Sequence, residues 1–276
     1  MIKDLIVNLS VAGGRDVAGP YALSLAETFD AHAAAIAFSY DPVIPATVMG
    51  GIPASLIDQQ RTDNDKAAAD AVARFDAAAK REGISFESRV MSASVPGAAD
   101  MFGTMARRFD LSVVAQTDTD RLAPDEVIVE GALFGSGRPV VVVPYIQKTG
   151  VTLDRVMIAW DASRNAARAV ADALPLLAKA KAIDVVLVAS ERPKSDEIEG
   201  ADIGQHLARH DLDVEVKRIV ATGTSVADTL LSHAADTGAD FMVMGGYGHS
   251  RLRQFILGGV TRGILSSMTI PVLMSH

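Results

Sequence analysis

Backbone chemistry is concentrated at one place in this sequence. Gly245-Gly246-Tyr247-Gly248 is separated by nine residues from Gly258-Gly259-Val260-Thr261. Glycine lets a backbone turn through positive φ and lets an anion come close to its N–H groups. Gly258-Gly259 stands at the start of a predicted helix, whose free N–H groups and dipole favour negative charge. Two such turns closing one excursion can make a single phosphate nest. The same glycines would serve equally as a tight turn and a helix cap, and residue types alone leave the two readings level.

Other chemistries find less support. With no cysteine, disulfides, thiolate metal sites and cysteine catalysis are excluded. Gly248-His249-Ser250-Arg251-Leu252 falls short of a G-x-S-x-G nucleophile elbow at its last position, and Ser250 has no assigned base. His206 and His210 share a helix face, but with no Glu beside the first and no third ligand they read as surface histidines. His249, Arg251 and Arg253 could meet phosphate or solvent equally. No Walker A run occurs, and no acidic pair has metal-site spacing. No base is placed to direct a water, as phosphoryl transfer requires.

The charge balance is −8, from 26 basic and 34 acidic residues. That argues against nucleic acid and anionic membrane as partners. Hydrophobic residues make up 49% of the chain and charged residues 22%, a globular composition. No apolar run is long enough to span a membrane. The opening MIKDLIVNLS carries an Asp inside a short apolar run and lacks the features of a secretory leader. A cytoplasmic protein is expected.

The elements that must position these residues come in a repeating order. Apolar runs at Leu5–Leu9, Ala31–Phe38, Ile84–Met91, Leu111–Ala115 and Val140–Val143 predict strands. Helical spacing covers Ala18–Phe29, Ala54–Arg81 and Pro96–Phe109. The pattern then restarts. Strands are predicted at Val156–Trp160, Val185–Ala189, Val214–Val220, Phe241–Met244 and Ile270–Met274. Helices are predicted at Asn165–Ala180, Ile198–His210, Ser225–Thr237 and Gly259–Met268. Unbroken apolar strands alternating with helices imply parallel sheets covered on both faces. Three anchors recur in order: Asp4-Leu5-Ile6-Val7 with Arg155-Val156-Met157-Ile158, Asp110 with Asp240, and Pro139 with Pro271. The chain is therefore read as one five-strand α/β unit used twice, 1–146 and 152–276, with a polar linker between. Segment 40–53, with its prolines and glycine pair, is expected to be a long loop. Val140–Val143 and Ile270–Met274 are apolar final strands that would be hazardous as open edges, so they are expected to pair and join the halves.

The glycine pattern, set between a strand and a helix and followed by Pro271-Val272, resembles the nucleotide-binding signature of the universal stress protein family. Val156-Met157-Ile158-Ala159-Trp160-Asp161 looks like that family's first strand and its acidic residue, and the duplication resembles its tandem form. The resemblance implies two Rossmann-like domains joined as a pseudo-dimer, and ATP bound in the second, with any Mg²⁺ held through its phosphates. Carried over by position, Ala159 would line the base, the Ser190 backbone would read adenine, and Asp161 would face the ribose. Met244 and Gly245 would lie beside the ribose, with Gly248, Gly258, Gly259 and Val260 around the phosphates. Two departures stand out. Gly259 replaces the usual Ser or Thr, which removes a hydroxyl donor. In the first half Ser10 stands for Asp161, while Ala115 and Asp118 stand for Gly245 and Gly248, so that half is read as degenerate. The implied protein is a stress-response binder that signals through its nucleotide, with a protein partner or self-association and at most slow ATP hydrolysis. The alternative is a nucleotide-free interaction scaffold; a true hydrolase is the third class.

Overall fold

The computed structural model describes residues 1–11, 15–42, 53–117, 125–189, 201–221, 223–246 and 259–276. Its first half runs β1 (Asp4–Asn8), α1 (Ala18–Phe29), β2 (His32–Tyr40), α2 (Ala54–Glu82), β3 (Phe86–Ala93), α3 (Val95–Ala106), β4 (Leu111–Ala115), α4 (Asp125–Gly135) and β5 (Val140–Val143). The second runs β6 (Val156–Ala159), α5 (Arg164–Leu177), β7 (Ile183–Ala189), α6 (Ala201–Ala208), β8 (Val214–Val220), α7 (Val226–Thr237), β9 (Phe241–Gly245), α8 (Gly259–Ser267) and β10 (Val272–Ser275). Most of the expected loop at 40–53 lies outside the described residues.

All the strands form one sheet, ordered β3-β2-β1-β4-β5-β10-β9-β6-β7-β8. Within each half every pairing is parallel. The halves meet where β5 and β10 run antiparallel, with Leu273 opposite Val141. The expected joint between the two final strands is therefore present. Neither is an outer edge, and all four valines of β5 are fully buried. One apolar cluster lies on each face of the sheet, and each cluster draws on both halves.

The recurring aspartates have a shared structural task. Asp110 Oδ2 accepts from the backbone N–H groups of Lys3 and Asp4, at 2.8 and 3.1 Å. Asp240 does the same for Asp154 and Arg155, at 2.9 and 3.2 Å. Each carboxylate thus pins the start of its half's central strand to the neighbouring strand, β4 or β9. The sequence pattern did not reveal α4. Its Val-Ile-Val run and its two glycines are poor helix formers. The glycines serve packing instead: a Cβ on Gly131 would stand 2.9 Å from the carbonyl carbon of Ala99 in α3.

Candidate functional site

A cavity of about 360 Å³ opens beyond the carboxyl ends of β6, β7 and β9, between α7 and the start of α8. Ligands in open α/β sheets bind in this position, and the volume lies within the range of small-molecule sites. Of the residues singled out from the sequence, Ala159, Asp161, Met244, Gly245, Gly259 and Val260 all line it. Ser190, Gly248 and Gly258 lie outside the described residues.

The lining is divided by chemistry. Ala159, Val186, Val188, Val226, Leu230 and Met244 make an apolar side. Asp161, Ser163, Asn165, Gly245, Gly259 and Thr261 make a polar one. Sequence reasoning missed several of these, though their spacing carries the signal. Val186 and Val188 alternate along β7 and so share a face, and Val226 and Leu230 are four apart on α7. Trp160, the only tryptophan, lines the mouth, and its N–H donates to Val186 O at 2.9 Å. That bond continues the pairing of β6 with β7 to the cavity rim.

The polar side is built by a tight turn. Asp161 Oδ1 accepts from Ser163 N at 3.0 Å, across Ala162, which has a left-handed φ of 57°. Ser163 then caps α5, its Oγ accepting from Ala166 N at 3.1 Å. The short link brings the start of α5 hard against the end of β9. A Cβ on Gly245 would stand 2.5 Å from Ala166 N, so glycine is required there by close approach. Asn165 Nδ2 reaches across to donate to Gly246 O at 2.5 Å, which ties the residue after β9 to the start of α5. At Gly259 the conditions are the reverse. Among the described residues a Cβ there would meet nothing within 4 Å, and φ is not positive, so the missing hydroxyl is not imposed by the backbone.

The arrangement suits a ligand with a flat apolar end and a polar, anionic end. Its apolar end would lie on the β7–α7 side, and its anion at the first turn of α8, whose leading N–H groups have no partner within the helix. Among the described residues no group of three or more histidine, aspartate or glutamate side chains is placed to hold a metal ion. A larger cavity of about 650 Å³ lies elsewhere, between the β1–α1 link and α2, where Arg15, Asp16, Asp70 and Arg74 give it mixed charge. The Asp16 carboxyl is pushed above its ordinary value by burial, against hydrogen bonds from the backbone of Gly19, Ser10 and Ala18.

A duplicated, doubly wound α/β protein with a glycine-bounded cavity in its second half is thus defined. Residues 152–276 match the model of the Universal stress protein family. Solved structures give the same fold over the whole chain. A universal stress protein from Archaeoglobus fulgidus DSM 4304 has a TM-score of 0.69 at 15% identity, covering 99% of this chain and 95% of that one. A functionally unknown protein from Pseudomonas aeruginosa PAO1 has a TM-score of 0.62 at 14% identity, covering 99% and 92%. A search of curated proteins finds no match. The family match thus covers the second unit, 152–276, and a unit of the same topology lies ahead of it. Among the described residues no helix is long and apolar enough to cross a membrane.

Proposed function

We propose that this protein binds an adenine nucleotide, ATP, in its second domain, taken as 152–276, and that the nucleotide acts as a signal rather than as a substrate turned over rapidly. The observation that carries this reading is the convergence of six sequence-predicted residues, from β6, β9 and α8, on one cavity of divided polarity. The base would lie against Ala159, Val186 and Val188, the ribose hydroxyls would donate to Asp161, and the phosphates would meet the α8 N-terminus at Gly259 and Val260. Any Mg²⁺ would be held through the phosphates. The first domain, taken as 1–146, takes no nucleotide of this type. Cytoplasmic signalling through a protein partner or self-association completes the reading.

Mass analysis of small molecules released from the purified chain should find an adenine nucleotide. Calorimetry with ATP should show Asp161→Ala weakening binding about tenfold or more, the worth of a hydrogen bond to a charged group, while Ser10→Ala leaves affinity unchanged. No binding at all, or equal losses from both variants, would replace this reading with the interaction scaffold.

A further inference from the structure

The cavity lies wholly in the second half, yet two of its walls are held from the first. Gln116, the residue after β4, is 3% exposed. Its Nε2 donates to Leu265 O of α8 at 2.8 Å, and its Oε1 accepts from Tyr145 N, just beyond β5, at 3.3 Å. Both ends of one buried amide are thus committed, one to each half. The helix it grips is the one whose first turn, Gly259 to Thr261, lines the cavity. The other wall is touched at Gly246, where a Cβ would stand 2.9 Å from Leu133 of α4.

We infer that Gln116 is a positioning residue for the second half's site: it fixes α8 against the first half, and so sets the distance between the α8 N-terminus and the end of β9 at 245–246. The role rests on the nucleotide reading given above, which it deepens by assigning the first half a part in that same site. The physical argument is one of shared constraints. The end of β9 at 245–246 is tied to α5 by Asn165 and packs against α4 through Gly246. A ligand bridging that strand end and α8 needs both at one separation. Gln116 Nε2 supplies a side-chain bond from the first half to α8. Binding should therefore tighten the Gln116 contacts, and loosening them should weaken binding by the same free energy.

The test uses the full chain and the near-isosteric Gln116→Glu, which keeps an acceptor for Tyr145 N and removes the donor to Leu265 O. Gln116→Met serves in its place if the charge prevents folding. ATP affinity should fall about fivefold or more with the native circular dichroism spectrum retained. In the wild type, ATP should slow hydrogen exchange at the Tyr145 amide, which lies in the other half from the ligand. Without nucleotide, the variant should shift Trp160 emission and speed exchange along α8. Unchanged affinity, unchanged Tyr145 exchange and unchanged Trp160 emission in a folded variant would overturn the inference. If the wild type binds no ATP, the nucleotide reading fails separately, and the nucleotide-free emission and exchange measurements still decide whether Gln116 sets the site.

Discussion

The two halves share a topology, and among the described residues their cavities differ: the second half's is lined from β6, β7 and β9, the first half's from the β1–α1 link, α1 and α2. Strand registers align them: Leu5 pairs with Leu111 as Val156 pairs with Phe241. Asn8 then corresponds to Ala159, Ile36 to Val186, Phe38 to Val188 and Ala115 to Gly245. In the first half Asn8, Ile36 and Phe38 are buried to within 4%, and each is larger than the Ala159 or valine that lines the cavity at the matching place in the second. The links differ as well. Residues 9–17 join β1 to α1, whereas only 160–163 join β6 to α5. The short link drives α5 onto β9 and demands Gly245. The first half's cavity is lined by the longer link together with α1 and α2. The lining of a cavity on this fold thus varies with a few side-chain volumes and one link length, while the strand order is kept.

The largest expected effect tests a second asymmetry. Asp184 is buried and bridges Arg155 at 2.9 Å and Lys217 at 3.0 Å. The first half has Asp4, Ala34 and Arg89 at these places. Asp184→Ala leaves two cations without their shared carboxylate and should cost about 3 kcal/mol by denaturant unfolding, the low end for breaking a buried pair because both cations keep some exposure. Burial draws the Lys217 ammonium down, but hydrogen bonds to Asp184 and Glu215, and their charges, outweigh it and raise it above its ordinary 10.5. Its contribution is therefore complete below about pH 10.5 and is lost as the pH rises through the higher folded value. The stability gap between the wild type and the Asp184 variant should narrow in strong alkali but stay open, because the Arg155 bridge remains.

Next comes the close approach itself. Gly245→Ala places a methyl against the α5 backbone and should cost about 2 kcal/mol as overpacking, with loss of ATP binding. Ala115→Gly, its counterpart, should cost about 1 kcal/mol from chain flexibility alone and leave binding intact. Similar losses in stability and affinity from both would erase the proposed difference between the halves.

The smallest effect is a gain. Since a side chain at Gly259 enters open space at an ordinary φ, Gly259→Ser should fold normally. It should tighten ATP binding about tenfold, or about 1.4 kcal/mol, by restoring a hydroxyl at the helix start. Calorimetry beside a thermal melt measures both; an unchanged affinity would mean that the phosphates lie elsewhere.

Legibility in the sequence followed burial. Strands such as Leu111–Ala115 and Val140–Val143 match the structure end to end because both faces are covered and their apolar runs are unbroken. The joint between β5 and β10 was readable because an apolar edge has to be paired. Helix α4 was not, because its glycines answer to α3 rather than to helix propensity. The backbone-lined part of the site was legible through its glycines and Asp161. Asn165 and Gln116 were not, since each acts on a carbonyl far away in sequence, Gly246 and Leu265, and nothing local marks such a bond.

The antiparallel β5–β10 joint also removes a dependence on dilution. An edge that would otherwise await a second molecule finds its match on the same chain, in a unit joined to the first by twelve residues, 144–155. A tether that short holds its ends at an effective concentration of roughly millimolar, independent of how much protein surrounds it. The two units can also diverge, because across this joint each meets the other rather than a copy of itself. One can therefore shed a binding site while its neighbour keeps one, an asymmetry that a freely exchanging homodimer cannot hold.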